Sequence, residues 1–260
     1  MIKTEEFHEH LIQTTLSDKS IRAYMNGIKD YAQYFSELTA SDVKEYRDRC
    51  LRKQKPATVN LRLNALRKYA KWQNIDIAIA LVDIQEPLFA DNPLSLTDYN
   101  KLLRYLIETN QLNWYVIFRT LACTGVRINE SYQITVGDIR YGRKEILGKG
   151  TKTRTIWFPK RFRIEVLQLL KYKDRSDPVV CFTEDYIRTK LRNLQAKLGI
   201  KGHLSPHEFR RFYARQIYSK TKDIHLVKDL LGHASIKTTM HYLKISISSI
   251  SRRMSLLVDG

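Results

Sequence analysis

Cysteine is scarce in this chain, with only Cys50, Cys123 and Cys181 among 260 residues. Three thiols this far apart build neither a disulfide framework nor a C-x-x-C metal pattern, and they fit a reducing cytosol. Cys123 lies close in sequence to Arg127, but a small residue on an apolar helix reads as core. No apolar run is long enough to span a bilayer, so no membrane partner is expected. The opening MIKTEEFHEH is polar and partly acidic, unlike a secretory leader. The chain has no G-x-x-x-x-G-K-[ST] loop to cradle a triphosphate and no acidic cluster to hold a metal. Internal repeats and low-complexity tracts are missing too.

Positive charge is abundant. The net charge is +18, from 45 Lys and Arg against 27 Asp and Glu. Residues 1–92 carry 14 basic and 13 acidic groups, so nearly all the excess falls in 93–260. A polyanion is the simplest partner for such an excess, and nucleic acid is the usual one. Hydrophobic residues make up 43%, which is ample for globular cores, and the length allows two domains.

Residues 1–85 read as four helices with little glycine and no strand signal. The first runs from about Thr4 to Gln13, with Phe7, Leu11 and Ile12 inward. The second is capped by Ser17 or Asp18 and carries Tyr24, Ile28, Tyr31 and Phe35. A third carries Val43, Tyr46 and Leu51 and is broken by Pro56. The fourth spans Thr58 to Trp72, with Leu61, Leu63, Leu66 and Tyr69 inward. From Lys44 to Lys71 the charge is ten basic to two acidic. Such a run is commonly a solvated face, but here Arg62, Arg67 and Lys71 interleave with apolar positions and are candidate DNA contacts. Residues 86–95, with two prolines, form the linker to a second domain over 96–260. That domain reads as helices at Asp98–Glu108, Asn113–Cys123, Phe162–Tyr172 and Thr183–Leu198. Strands are expected at Ile139–Tyr141, Glu145–Leu147 and Thr153–Phe158.

The densest chemistry lies between Ser205 and Tyr242. Ser205 is a good N-cap, Pro206 suits the first helical position, and Glu208 completes the S-x-x-E capping box. His207 then sits in the first turn at the positive end of the helix, and Arg210 shares its face. A helix over 223–231 stops at Gly232, and His233 follows. Ser235 caps a short helix carrying Thr238, Thr239 and Tyr242. Two cationic groups, a histidine and a phenol therefore aim at one anionic centre. His203 and His207 are four apart, but Pro206 and the lack of carboxylate or thiolate company argue against a metal pair.

The combination H-x-x-R (207–210), L-G-H (231–233) and T-T-x-x-Y (238–242) resembles the signature of the tyrosine recombinase/integrase family. Upstream, Thr124-Gly125-Val126-Arg127-Ile128-Asn129-Glu130 matches that family's T-G-x-R-x-x-E, with Asn129 a mild departure where a small residue is usual. Gly148-Lys149-Gly150-Thr151-Lys152 resembles the turn that presents its lysine. By motif position this is Lys149, with Lys152 the close rival; the blander alternative is that both contact backbone phosphates.

The resemblance covers nearly the whole chain and implies a mainly α fold with a small antiparallel β-sheet. A helical core DNA-binding domain would precede an α+β catalytic domain. It implies Tyr242 as nucleophile, Arg127, Arg210 and His233 on the phosphate, His207 as proton acceptor, Lys149 as proton donor and Glu130 in support. It also implies action on duplex DNA through a 3′-phosphotyrosine and a Holliday junction, without ATP, metal or other cofactor. The active assembly would be a homo-tetramer on two sites, with the 243–260 tail exchanged between neighbours or packed on its own subunit. Two other functions share these residues: a type IB topoisomerase-like enzyme, and a DNA-binding protein that has lost activity.

Overall fold

The computed structural model describes residues 1–84, 92–147 and 153–243; the expectations for Lys149, Lys152 and 244–260 lie outside these. The chain divides into two compact units, Met1–Glu86 and Pro87–Gly260. Among the described residues no helix is long and apolar enough to cross a membrane.

The first unit is made of α1 (Thr4–Ile12), α2 (Asp18–Ala32), α3 (Ala40–Leu51) and α4 (Pro56–Trp72). Ser17 caps α2 by accepting from the Ser20 N–H, and Thr39 caps α3 by accepting from that of Asp42. Pro56 does not break α3, which already ends at Leu51. It opens α4, because its missing N–H falls where a helix has no acceptor to offer. Phe7, Leu11, Ile28, Tyr31, Tyr46 and Leu63 form the centre of the core. Gly27 lets α2 lie on α4: a Cβ there would stand 2.7 Å from the Ala65 Cβ. Three expected core residues face out, with Ile12 59%, Leu61 53% and Leu51 36% exposed. Each is one or two positions from a buried neighbour (Leu11, Leu63, Cys50). A helix turns 100° per residue, so adjacent apolar residues cannot all point inward.

The second unit begins with α5 (Leu96–Glu108) and α6 (Leu112–Thr124), followed by short helices α7 (Ile128–Ser131) and α8 (Val136–Tyr141). Strands β1 (Arg143–Leu147) and β2 (Thr153–Trp157) pair antiparallel, Arg143 opposite Trp157 and Leu147 opposite Thr153. Then come α9 (Lys160–Leu169), α10 (Glu184–Leu198), α11 (Pro206–Thr221), α12 (Ile224–Leu231) and α13 (Ile236–Tyr242). The described part of this unit is mainly helical with one small antiparallel sheet.

The strand expected at Ile139–Tyr141 is a correction, since these residues close α8. Thr135 and Asp138 cap that helix reciprocally, and Gly142, at φ 100°, ends it. These local hydrogen bonds outweigh the β-branched and aromatic side chains on which the strand reading rested. α6 buries Trp114, Ile117, Phe118 and Leu121 and packs against α11, where Phe118 stacks on Phe209. α11 is therefore fixed from behind, and its first turn is free to present chemistry.

Candidate active site

Four segments distant in sequence meet around Tyr242. The first is the end of α6. Gly125 adopts the left-handed conformation, and a Cβ there would lie 2.4 Å from the Tyr213 ring. Only glycine fits, and the turn delivers Arg127 to the head of α7. The Arg127 N–H donates to Glu130 Oε2 at 2.9 Å, and its guanidinium donates to Oε1 at 2.8 Å. Its side chain is still 46% exposed, against 7% for Glu130. Burial pushes the Glu130 carboxyl up, but hydrogen bonds from Arg154 and Arg127 outweigh it and leave the group below the usual carboxylate range.

The second segment is α11. Ser205 caps it as expected, but Glu208 does not complete the capping box. Oε1 of its buried carboxylate instead accepts from the Leu94 N–H at 3.0 Å and from Arg215 at 2.8 Å, and Oε2 lies 3.8 Å from Arg211 rather than on the Ser205 N–H. A tertiary partner outcompetes the local one because burial demands full pairing of the charge. Arg210 is 1% exposed. It donates to the Gly125 carbonyl at 2.6 Å and the Leu231 carbonyl at 2.5 Å, and it touches His233 Nε2 at 3.0 Å. Its Nε is buried without a hydrogen-bond acceptor among the described residues. Burial, then the charges of Arg127 and Arg154, lower its pKa to about 10. The surroundings thus hold more positive charge than they balance, as an anion site requires.

The third segment is the turn after α12, where Gly232 stops the helix at φ 64° and hands the chain to His233. Arginine only donates, so His233 Nε2 must accept. The ring proton is therefore on Nδ1, directed at Thr239 Oγ1, 3.0 Å away. The fourth segment is α13, which carries Tyr242, 8% exposed. Its ring lies 4.7 Å from His233 and 5.1 Å from His207, centroid to centroid, and 5.8 Å from the Arg210 guanidinium carbon. His207 is exposed at the surface of the site, yet the surrounding protein, then the Arg211 and Arg210 charges, hold its pKa below the ordinary value, which favours the neutral ring that can take a proton.

Burial and the charges of Arg210, Arg127 and Arg154 take His233 down to about 4. In the unfolded chain the ring titrates near ~6.5. Between these values the unfolded state holds the extra proton, so stability is lost as pH falls from about 6.5 towards about 4. At pH 5 the loss from this group is about 2 kcal/mol. Urea titrations at pH 7 and pH 5 should show it, and His233→Gln should reduce the difference by about that amount. Equal pH dependence in the two proteins would mean that His233 is not buried neutral.

Arg127, His207, Arg210, His233 and Tyr242 are thus brought together, with Glu130 behind Arg127. The tentative DNA contacts of the first unit are placed less simply. Arg62 is ion-paired to Asp30, which also accepts from the Tyr46 hydroxyl at 2.5 Å. Arg67 is exposed, yet its Nε donates to the Ile79 carbonyl at 2.7 Å; Lys71 is exposed. Two neighbours escaped the motif reading. Arg211 lies 6.0 Å from the centre of the Tyr242 ring, and Arg154 pairs with Glu130 at 2.9 Å. A charged residue on the short strand after the G-K-G-x-K turn was the only trace of Arg154.

The pattern of the phage integrase family matches residues 93–248, and that of the phage integrase N-terminal SAM-like domain matches 4–74. A tyrosine recombinase XerA of Pyrococcus furiosus is 26% identical, over 93% of this chain and 89% of its own length. The TnP I resolvase of Bacillus thuringiensis is 22% identical, over 97% of this chain and 99% of its own. Among solved structures, a XerH site-specific recombinase bound to palindromic difH substrate aligns with a TM-score of 0.71 at 17% identity. It covers 92% of this chain and 80% of that one. A lambda integrase dimer bound to a core site aligns at 0.73 and 15%, covering 93% and 76%.

Proposed function

This chain belongs to the phage integrase family, and from that premise we propose that it is a site-specific recombinase that cuts and rejoins duplex DNA through Tyr242. The observation that carries this reading is the convergence of His207, Arg210 and His233 on the Tyr242 ring, with the Arg127 charge close enough to act on all three.

A phosphodiester resists attack because it is already anionic, and attack concentrates charge on its non-bridging oxygens. Arginine forks match those oxygens in geometry as well as in charge. Arg127, half open beside Glu130, and Arg210, with its unengaged Nε, fill that role. His233, whose Nε2 accepts from Arg210, orients that guanidinium. The Tyr242 Oη–P bond forms as the P–O5′ bond breaks. The phenol gives its proton to neutral His207, and the departing O5′ takes one from Lys149. The product is a 3′-phosphotyrosine and a free 5′-hydroxyl. One phosphodiester replaces another, so the link conserves the energy needed for rejoining, and no ATP is consumed.

The same reading assigns Arg67 and Lys71 to the DNA backbone and the functional assembly to a tetramer on two sites, with the 243–260 tail exchanged. Light scattering of the DNA complex with and without that tail tests the assembly; a tetramer that survives truncation unchanged refutes the exchange. The chemical step is tested on its own DNA site, first mapped by sequencing the junctions it makes. Lys149→Ala is expected to lose cleavage of the ordinary phosphodiester. It should recover cleavage when sulfur replaces the bridging 5′ oxygen, because a thiolate leaves without a proton. Recovery by Lys152→Ala instead would move the role there. If the wild-type protein leaves no covalent link on any such junction, the proposed function is wrong.

A further inference from the structure

We propose that Arg154, outside the catalytic constellation, is the positioning residue that sets Arg127 and His233 relative to the phosphate. The inference rests on the function proposed above and deepens it. Arg154 extends from β2, and its side chain is 10% exposed. One arm of its guanidinium donates to Glu130 Oε2 at 2.9 Å. The other donates to the Leu230 carbonyl at 2.5 Å, at the end of α12. Its stem passes under Gly232, where a Cβ would stand 2.5 Å from the Arg154 Cδ. A single planar fork thus joins β2, the short helix headed by Arg127 and the turn that delivers His233.

The division of Glu130 explains why an arginine belongs here. Glu130 Oε1 holds Arg127, while Oε2 is occupied by Arg154 and by the Arg127 N–H. Without Arg154, the whole charge of a buried carboxylate would fall on Arg127 and draw it away from an incoming phosphate. The Leu230 carbonyl would also lose its donor, one residue before the carbonyl that holds Arg210. Arg154 is among the charges that depress both Arg210 and His233, so its field reaches the same centre. A lysine keeps the charge but has no fork, and cannot span both acceptors in this geometry.

A buried ion pair can also be purely structural, so the test must separate positioning from folding. Arg154→Lys is expected to bind the mapped DNA site within a few fold of wild type. Single-turnover formation of the covalent adduct should be slowed about 10- to 100-fold, the range for loss of a supporting contact. On a site whose scissile phosphate is a neutral methylphosphonate, the transition state carries less charge and leans less on Arg127 and His233. The defect should there shrink to a few fold. Should Arg154→Lys not fold, Arg154→Gln, which still offers Glu130 a donor but neither charge nor fork, takes its place and is expected to show the same contrast. Wild-type rates in the variant, or equal defects on both substrates, would overturn the positioning role. Absence of adduct from the wild type would instead overturn the function on which it rests.

Discussion

Tyr242→Phe is expected to leave no covalent protein on DNA, while its affinity for the same site stays within a few fold. The substitution removes one oxygen and nothing else. The ring still packs against Ala214, Val227 and Leu231 and lies beside His207 and His233. Loss of the attacking atom in covalent catalysis lowers rates by roughly 10⁴- to 10⁶-fold, because the remaining groups have nothing to activate. Denaturing gels of protein incubated with a nicked site, on which the cleaved strand cannot be resealed, read this directly. An undiminished adduct, or a link mapped by peptide sequencing to Tyr213 or Tyr218, would refute the assignment. The same variant should still gel-shift the site, which separates loss of chemistry from loss of binding.

The second large effect is expected at Arg210. Arg210→Lys keeps a cation but surrenders the fork that holds the Gly125 and Leu231 carbonyls and meets His233. A preorganised donor at a developing oxyanion is worth roughly 10²- to 10³-fold. Adduct formation should therefore fall about 10³-fold, with DNA affinity changed far less. Arg210→Ala should do worse in a second respect. It strands two buried carbonyls, at roughly 1–3 kcal/mol each, and the melting temperature should fall by several degrees. The lysine variant separates these effects, since it retains the charge and much of the volume. A cleavage defect under tenfold in Arg210→Lys would mean that Arg210 holds the fold rather than the phosphate.

Legibility in the sequence followed the range of the physics involved. The caps at Ser17, Ser205 and Ser235 and the helix stops at Gly125 and Gly232 are local hydrogen bonds and backbone preferences, and each lies where its residue type directs it. The misreadings arose where two local signals competed or a distant group intervened. Ile139–Tyr141 had strand-forming side chains inside a capping box, and the box prevailed. Glu208 sat at the capping-box position, but the Leu94 amide and Arg215 claimed its carboxylate. Arg62 was interleaved with apolar residues like a DNA contact, yet Asp30, 32 positions earlier in the chain, engages it. Arg154 gave almost no signal, because its partners are 24 and 76 residues away.

The sequence alone determined which side chains form the candidate site, because the chemistry of moving a phosphoryl group needs those few types and the motifs carry them at readable spacing. It also determined the helices that bear them and the excess of positive charge. Only the tertiary structure decided how each group is held: Arg210 buried against two carbonyls, His233 neutral with its proton on Nδ1, Glu130 divided between two arginines. Those properties depend on burial and on charges contributed by segments far apart in sequence, and neither exists until the chain has packed.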